Sequence, residues 1–456
     1  MYLADRPSAA ATPPEVRRPA RVRRSVAALP STVLLLGTVS LITDVSSEMI
    51  TAVLPLYLVA ELGLSPLGFG MLDGVYNGVS ALVRLVGGRV SDRDGGGGHK
   101  AVAAVGYGLS ALCKPLLLMV HSLPLIGAVL AVDRTGKGLR TAPRDAMISL
   151  AAEPAVRGRA FGVHRAMDTA GALGGPLVAF LLLRAAADGY DAVFTVSFCV
   201  AVPGVLVLVL FVPGRTRHTT RRTGERAPAR PRMPVLALLG RPEVRRLTGC
   251  AVLLGLTTVS DSFLYLALQR RLDLPAGWFP LLPLGTAAAF LLLAVPLGAV
   301  ADRLGRRRLF LAGHLALLGA YGLLAAPLGG GPPLVCAVLV LHGAFYAATD
   351  GVLAAATADA VPEEVRGSGL ALVQTGQTAA RFVCSLAFGA AWTAWGDRTA
   401  VLAAALGLAL AAALSARLLR RATAGSAPAP APALPHQAAP AGKASRPPRH
   451  DPDHGA

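Results

Sequence analysis

Charge is scarce in this chain and unevenly placed. Asp, Glu, Lys and Arg make up 15% of its 456 residues, against about a quarter in soluble domains. Hydrophobic residues reach 54% and the mean hydropathy is +0.55, which excludes an ordinary soluble domain and places the chain in a bilayer. Cysteine is equally sparse. Cys113, Cys199, Cys250, Cys336 and Cys384 stand singly in apolar stretches, with no C-x-x-C and no His cluster at ligand spacing. That pattern excludes a disulfide scaffold or a metal centre and leaves small packing residues. No cofactor is expected. A nucleotide-binding G-x-x-x-x-G-K-[ST] is missing too, because Gly136 and Lys137 are followed by Gly138 and lack the earlier glycine. ATP hydrolysis is thereby excluded, and an ion gradient is the energy source that remains. Residues 1–30 are rich in Arg, Ala and Pro and lack a short apolar core with a small-residue cleavage site, so the N-terminus is expected to stay inside the cell.

Acidic residues are outnumbered, 26 against 44 basic ones, for a formal charge of +18. The arginines fall in alternate loops rather than on one soluble face, which points to membrane orientation and away from a nucleic-acid partner. Apolar segments of spanning length lie near 31–60, 67–91, 101–121, 123–150, 158–184 and 190–212, then near 247–270, 277–301, 308–327, 333–360, 367–392 and 398–421. The expected fold is an all-α membrane protein of twelve transmembrane helices in two pseudo-symmetric six-helix bundles. Five parts follow: a basic tail (1–30), a first bundle (31–212), an Arg-rich linker (213–246), a second bundle (247–421) and an Ala/Pro-rich tail (422–456) expected to be disordered. The linker holds ten arginines from Arg215 to Arg246 and must face the cytoplasm, so both termini are expected there. The opposite loops hold little more than Arg184, Arg270, Arg271 and Arg398.

What is present twice is more telling. G-x-x-x-D-R-x-G occurs as Gly88, Asp92, Arg93, Gly95 and again, about 210 residues on, as Gly298, Asp302, Arg303, Gly305, each copy closing an apolar segment. A repeat at that period is a duplicated half-protein, and in a membrane chain a duplicated half points to a transporter. Gly permits close helix approach while Asp and Arg can pair with a neighbouring helix end, so each copy suits a gate. Pro154, Arg157, Gly158 and Pro362, Arg366, Gly367 form a second duplicated set, each opening a helix. On the paired motif the chain resembles the major facilitator superfamily over residues 31–421. The first copy departs from that pattern, because Asp94 and Gly96 to Gly98 precede His99 and Lys100 where basic residues usually follow directly. In the fifth segment Gly162, Gly171, Gly175 and Pro176 resemble a pattern of the superfamily's drug:proton antiporters, with Ala179 where a final Gly is usual. Glycines so spaced open a groove for a neighbouring helix, and Pro176 bends its own.

Ionisable residues within the spans carry the remaining argument, since each is costly in a bilayer unless paired or wetted. Asp44 and Glu48 stand one turn apart on the first helix, and their spacing to Pro55 resembles the first-helix pattern of twelve-helix antiporters. Asp73, Asn77, Ser80 and Arg84 share a face of the second. On the fourth, Asp133, Arg134, Lys137, Arg140, Arg144 and Asp145 fall within roughly 140° of arc, and such a stripe cannot face lipid. Arg134 and Gly138 resemble the family's R-x-x-x-G motif, whose arginine is linked to proton transfer. Lys137 and Arg140 replace polar or small residues of that motif and equally suit an anionic substrate. His164, Arg165 and Asp168 on the fifth helix extend the network. A carboxylate beside an arginine keeps its charge, whereas one in an apolar pocket takes a proton, so movement between these settings loads and unloads a coupling ion.

The second half is poorer in charge, with Asp261 between Ser260 and Ser262, then His342, Asp350, Asp359, Gln374, Gln377 and Arg381. Proton chemistry is therefore expected in the first half, and Phe263, Tyr265, Phe345 and Tyr346 are expected to offer an apolar wall to substrate. The function expected is secondary active transport in the cell membrane, proton-coupled export of a small organic compound by a monomer among membrane lipids, with Asp44, Glu48, Arg84, Asp133, Arg134, Lys137, Arg140, Asp168 and Asp261 as coupling or substrate residues. Import of an anionic metabolite is the alternative within the fold. Outside it stand a non-transporting sensor and a lipid-modifying enzyme using His164 and Asp168. The enzyme is disfavoured because no D-D-x-x-D carboxylate cluster is present.

Overall fold

A chain crossing a bilayer must satisfy its backbone N–H and C=O groups internally, which selects helices. The computed structural model describes residues 29–93, 99–153, 156–186, 189–213, 235–327, 330–349, 352–361 and 366–424, and these hold fourteen α-helices and no strand. In the first half these are α1 (Ser31–Leu56), α2 (Pro66–Arg93), α3 (His99–Met119), α4 (Leu123–Ala151), α5 (Arg157–Ala185) and α6 (Gly189–Phe211). In the second they are α7 (Pro242–Gly255), α8 (Asp261–Leu272), α9 (Leu281–Leu304), α10 (Arg306–Ala325), α11 (Pro332–Thr349), α12 (Val352–Ala360), α13 (Arg366–Trp395) and α14 (Asp397–Ala424). Helices α7 and α8 together make the seventh span, and α11 with α12 the tenth, so the architecture is twelve spans in two six-span bundles. The tails, residues 214–234 of the linker and Gly95 of the first paired motif lie outside the described residues.

By length and hydropathy alone, eight helices among the described residues are able to cross a membrane. Helices α2, α4 and α13 are not among them. The first two carry the acidic and basic residues singled out above and α13 carries Arg381, charge that only a protein-lined interior can hold. Lipid-facing positions are apolar instead, as at Leu292 and Val295. Cys199 and Cys336 are also exposed, so only Cys113, Cys250 and Cys384 pack inside.

The seventh span is broken, which its sequence pattern had not suggested. Between α7 and α8 runs Leu256–Ser260 with two β-branched hydroxyl residues in succession, and both hydroxyls turn back on the helix they leave. Thr257 Oγ1 and Thr258 Oγ1 donate to the Leu254 carbonyl at 3.0 and 2.8 Å. The freed Val259 N–H donates to Tyr321 Oη at 2.8 Å. Side chains thus take over the backbone bonds that a break in a bilayer leaves unmade.

Within the first bundle α1 packs on α5 and α6, and α4 on α2 and α3; in the second, α9 and α10 flank α11 while α7, α13 and α14 pack together. The halves meet chiefly where α2 lies along α13 and where α5 meets α9. Arg271 caps the last carbonyls of α10, donating to Leu323, Leu324 and Ala326, and Arg398 Nε donates to Ala325 O at 3.0 Å. These arginines of the opposite loops therefore neutralise a helix end.

Candidate functional site: an ion-lined cavity between the halves

A cavity of about 650 Å³ lies between the bundles. From the first half Glu48, Asp73, Tyr76, Arg134 and Lys137 line it; from the second come Ser260, Asp261, Tyr265, Phe290, Tyr346, Thr378, Arg381 and Ser385. Its size suits a small organic molecule.

The first-half wall is built from close helix crossings. Gly171 and Gly175 of α5 sit against α1, where an added Cβ would meet the Asp44 Cβ at 3.1 Å and the Glu48 Cβ at 2.7 Å. The glycines thus seat the two acidic residues directly. Gly106 and Gly136 do the same for α3 and α4, each with the other's carbonyl oxygen within 2.7 Å of a built Cβ. Helices α1 and α4 run antiparallel, so carboxylates four residues apart meet cations three apart. Lys137 Nζ donates to Glu48 Oε1 at 2.9 Å and Arg140 Nη2 to Asp44 Oδ1 at 3.0 Å. The ladder continues away from the cavity through Arg144, which reaches Ser40 Oγ at 3.3 Å and Asp168 Oδ1 at 3.4 Å and pairs with Asp145 at 3.0 Å. His164 Nε2 lies 3.0 Å from the same Ser40 hydroxyl. On the other side Arg134 grips Asp133 at 2.6 Å, and Ser110 Oγ donates to that carboxylate at 2.5 Å. The Arg134 guanidinium lies 3.8 Å over the Tyr76 ring, and Arg140 lies 4.4 Å over Tyr107.

Of the nine residues expected from sequence to couple ions or hold substrate, Glu48, Arg134, Lys137 and Asp261 reach the cavity. Asp44, Asp133, Arg140 and Asp168 stand behind its wall in ion pairs. The Arg84 side chain lies outside the described residues. Sequence reasoning passed over Lys114, a buried lysine on α3, and Tyr76, the ring under Arg134. A lone lysine inside the apolar run 101–121 was the available signal.

The second half is less passive than its composition suggests. Asp261 opens α8, and its Oδ1 accepts from Tyr346 Oη at 2.6 Å while His342 Nε2 lies 3.3 Å away. His342 is buried, its Nδ1 3.4 Å from Thr286 Oγ1, and it stacks parallel on Phe345. The Asp261 side chain is 43% exposed, Lys137 31% and Glu48 24%, and all three line the cavity. The expected aromatic wall is corrected here. Tyr265 and Tyr346 line the cavity, but Phe263 and Phe345 are 1% exposed and pack in the core, Phe263 against Phe69 and Phe388.

One end of the cavity is shut by contact between the halves. A Cβ on Gly70 of α2 would come 2.6 Å from Ser385 O, and one on Gly389 of α13 would come 2.6 Å from Pro66 O. Leu67 N–H donates to Thr393 Oγ1 at 3.1 Å, and Ser385 Oγ donates to Asp73 Oδ2 at 2.7 Å. Phe180 of α5 meets Trp278 edge-on beside α9. All of these lie toward the ends where α1 finishes and α2 begins.

The paired motifs close α2 and α9. The side chains of Asp92, Arg93 and Asp302 lie outside the described residues. Gly305 has φ +89° and turns α9 into α10, a conformation that requires glycine. Among the described residues a Cβ on Gly298 or Gly162 would meet nothing within 4 Å, whereas Gly171 and Gly175 are used for close packing. Of the second duplicated set, Arg157 and Arg366 stand at the first residues of α5 and α13, while Pro154 and Pro362 lie outside the described residues.

With this geometry established, likeness to known proteins is informative. Residues 36–291 and 276–450 match the Major Facilitator Superfamily. An uncharacterized MFS-type transporter of Methanocaldococcus jannaschii is 27% identical over 362 residues, covering 77% of this chain and 86% of that protein. Among solved structures, the nucleoside transporter NupG superposes with a TM-score of 0.71 at 12% identity, covering 85% of this chain and 99% of NupG. A bacterial homologue of the lysosomal transporter Spinster, inward-facing and unoccupied, does so at 0.70 and 14%, covering 86% and 97%. These two likenesses show the fold, and the match across most of the chain shows the family. This multi-pass membrane protein belongs to the major facilitator superfamily and has the fold of its transporters.

Proposed function

We propose that the chain is a proton-coupled secondary transporter of the cell membrane that exports a small organic compound by rocking its two halves, acting as a monomer with both termini in the cytoplasm. The supporting observation is the shared cavity, walled by ions from both halves and shut at one end by α2 against α13. With the termini inside, that shut end is the outer one. Tilting of the halves would part the Gly70–Gly389 contact and close the opposite end, where the paired motifs stand as the gate.

Coupling is assigned to Glu48, the carboxylate of the first-half wall whose cation partner also faces the cavity. Protonation of Glu48 frees Lys137 and changes the charge presented to substrate; Asp44, held by Arg140, and Asp133, held by Arg134, keep the ladder in register. Everted vesicles carrying the protein should accumulate substrate when acid inside, and collapse of the gradient should abolish this. Glu48→Gln should lose gradient-driven accumulation yet keep exchange of labelled for unlabelled substrate. An Asp44→Asn variant with unchanged gradient-driven flux would remove Asp44 from the coupling path. Import of an anion is the second reading, favoured by the cations Arg134, Lys137 and Arg381 in the wall, and accumulation in right-side-out vesicles separates it from export.

A further inference from the structure

The cavity ions are nearly all spoken for. Lys137 holds Glu48, Arg134 holds Asp133, and Asp261 is held by Tyr346 and His342. Arg381 of α13 differs. It lines the cavity, forms no ion pair among the described residues, and its Nε is closed off from solvent with no hydrogen-bond partner. The rest of its guanidinium has Tyr346 beside it and feels Asp261 from further off; a guanidinium without an ion-pair partner in a low-dielectric wall is expensive and rarely kept without an acceptor to meet it.

A second unsatisfied group lies beside the same cavity. Ser260, the residue before α8, also lines it; its hydroxyl does not cap the helix, has no close hydrogen-bond partner among the described residues, and lies beside the Asp73 carboxylate. The break in the seventh span therefore turns the start of a twelve-residue helix, with uncapped N–H groups at its positive end, toward the space that Arg381 borders. An arginine without an ion-pair partner, a serine hydroxyl without a close acceptor and a helix start on one wall would all be served by one oxygen-bearing anion. Tyr265 and Phe290 line the same cavity and offer it an apolar surface. Asp73 and Asp261 also border the space, which disfavours a second negative charge.

We infer that the second-half wall holds a carboxylate subsite, formed by Arg381 and Ser260 at the break before α8, and that the transported compound is an organic monocarboxylate with an apolar or aromatic body. Arg381 receives the carboxylate on its planar fork, Ser260 donates to one oxygen, and the body lies against Tyr265 and Phe290. This rests on the cavity being the transport site but is independent of direction and coupling.

The test is thermal unfolding of the purified full-length protein in lipid nanodiscs with matched acids and amides: benzoate with benzamide, indole-3-acetate with indole-3-acetamide, and phthalate as a dianion, with inorganic phosphate as a separate probe. At least one monocarboxylate should stabilise the protein where its amide does not. Arg381→Gln should weaken that binding about tenfold or more. Arg381→Lys, which keeps the charge, guards against a folding defect and should bind with intermediate strength, and Ser260→Ala should show a smaller loss. Equal shifts for acids and amides, a response to phosphate or phthalate alone, or carboxylate binding unchanged in Arg381→Gln would each overturn the subsite. The transport reading fails separately, if cysteines placed in the cavity cannot be reached from both faces of the membrane.

Discussion

Substituting Gly389 by leucine should push the protein out of the conformation described here. A Cβ at that position falls 2.6 Å from Pro66 O, 3.3 Å from Leu67 Cα and 3.3 Å from Phe263 Cζ, and two of these belong to α2 across the interface between halves. Ordinary contact begins near 3.4 Å, so α2 and α13 must part by almost an ångström before the rest of the side chain is placed. The near contact is a backbone carbonyl that no rotamer change can move aside. Overpacking of this kind costs about 1–3 kcal/mol. The closest of these contacts, with Pro66 and Leu67, exist only in the state in which the halves touch here, so their cost becomes a population shift of about 5- to 150-fold toward the state in which they are apart. Spin labels at Glu61→Cys and Trp395→Cys, in a background without native cysteines, report the distance between the two halves at this end by pulsed electron paramagnetic resonance. Glycine should give mainly the short distance and leucine mainly a longer one. A folded Gly389→Leu protein with an unchanged distance distribution would refute the assignment of α2 and α13 as the moving seal.

Three further outcomes are expected. Asp44→Asn leaves Arg140 buried without its carboxylate, and loss of one member of a buried pair costs about 3–5 kcal/mol; a clear fall in thermal stability should follow, much of it recovered in the double variant Asp44→Asn with Arg140→Met. Gly175→Leu drives a side chain into α1 at the Glu48 Cβ, the Met49 N and the Val45 carbonyl, 2.7–2.8 Å from a built Cβ, and should lose stability and gradient-driven transport together, whereas Gly162→Ala, with open space around it among the described residues, should change neither measurably. Tyr321→Phe orphans the Val259 N–H at the seventh-span break, costing about 1–3 kcal/mol, and faster hydrogen exchange at Val259 should locate the effect.

Much of the architecture could be read from the chain because hydropathy and bilayer thickness act on segments as a whole. The twelve spans agree with the helices to within a few residues, apart from α7, which begins at Pro242 rather than near 247. The break after Gly255 escaped because it depends on Tyr321, 62 residues downstream, accepting the role of backbone partner. The first-half ions were visible as residues too polar for lipid, and their i, i+3 and i+4 spacings placed them on shared faces. Their partners were not visible, since pairing Lys137 with Glu48 and Arg140 with Asp44 requires the register of α1 against α4, which Gly171 and Gly175 set from a third helix. The aromatic wall was half right for a related reason. Tyr265 and Tyr346 have a hydroxyl that favours a polar cavity, while Phe263 and Phe345 have none and pack inward. Arg381 was noticed only as one of several polar residues, because its lack of an ion-pair partner among the described residues is a property of the folded wall and of no sequence pattern.

Alternating access to one cavity is the claim on which the account turns, and thiol labelling at Thr378 measures it without knowledge of the substrate. Thr378→Cys, placed in the cavity lining of a protein without native cysteines, should react with a membrane-impermeant maleimide from both faces, in intact cells and in everted vesicles. A disulfide between Leu67→Cys and Thr393→Cys, whose backbone and side chain meet at 3.1 Å, should then abolish labelling from outside and preserve it from inside. Labelling from outside that survives the cross-link, or labelling from one face alone in its absence, would contradict a cavity that opens to each side in turn.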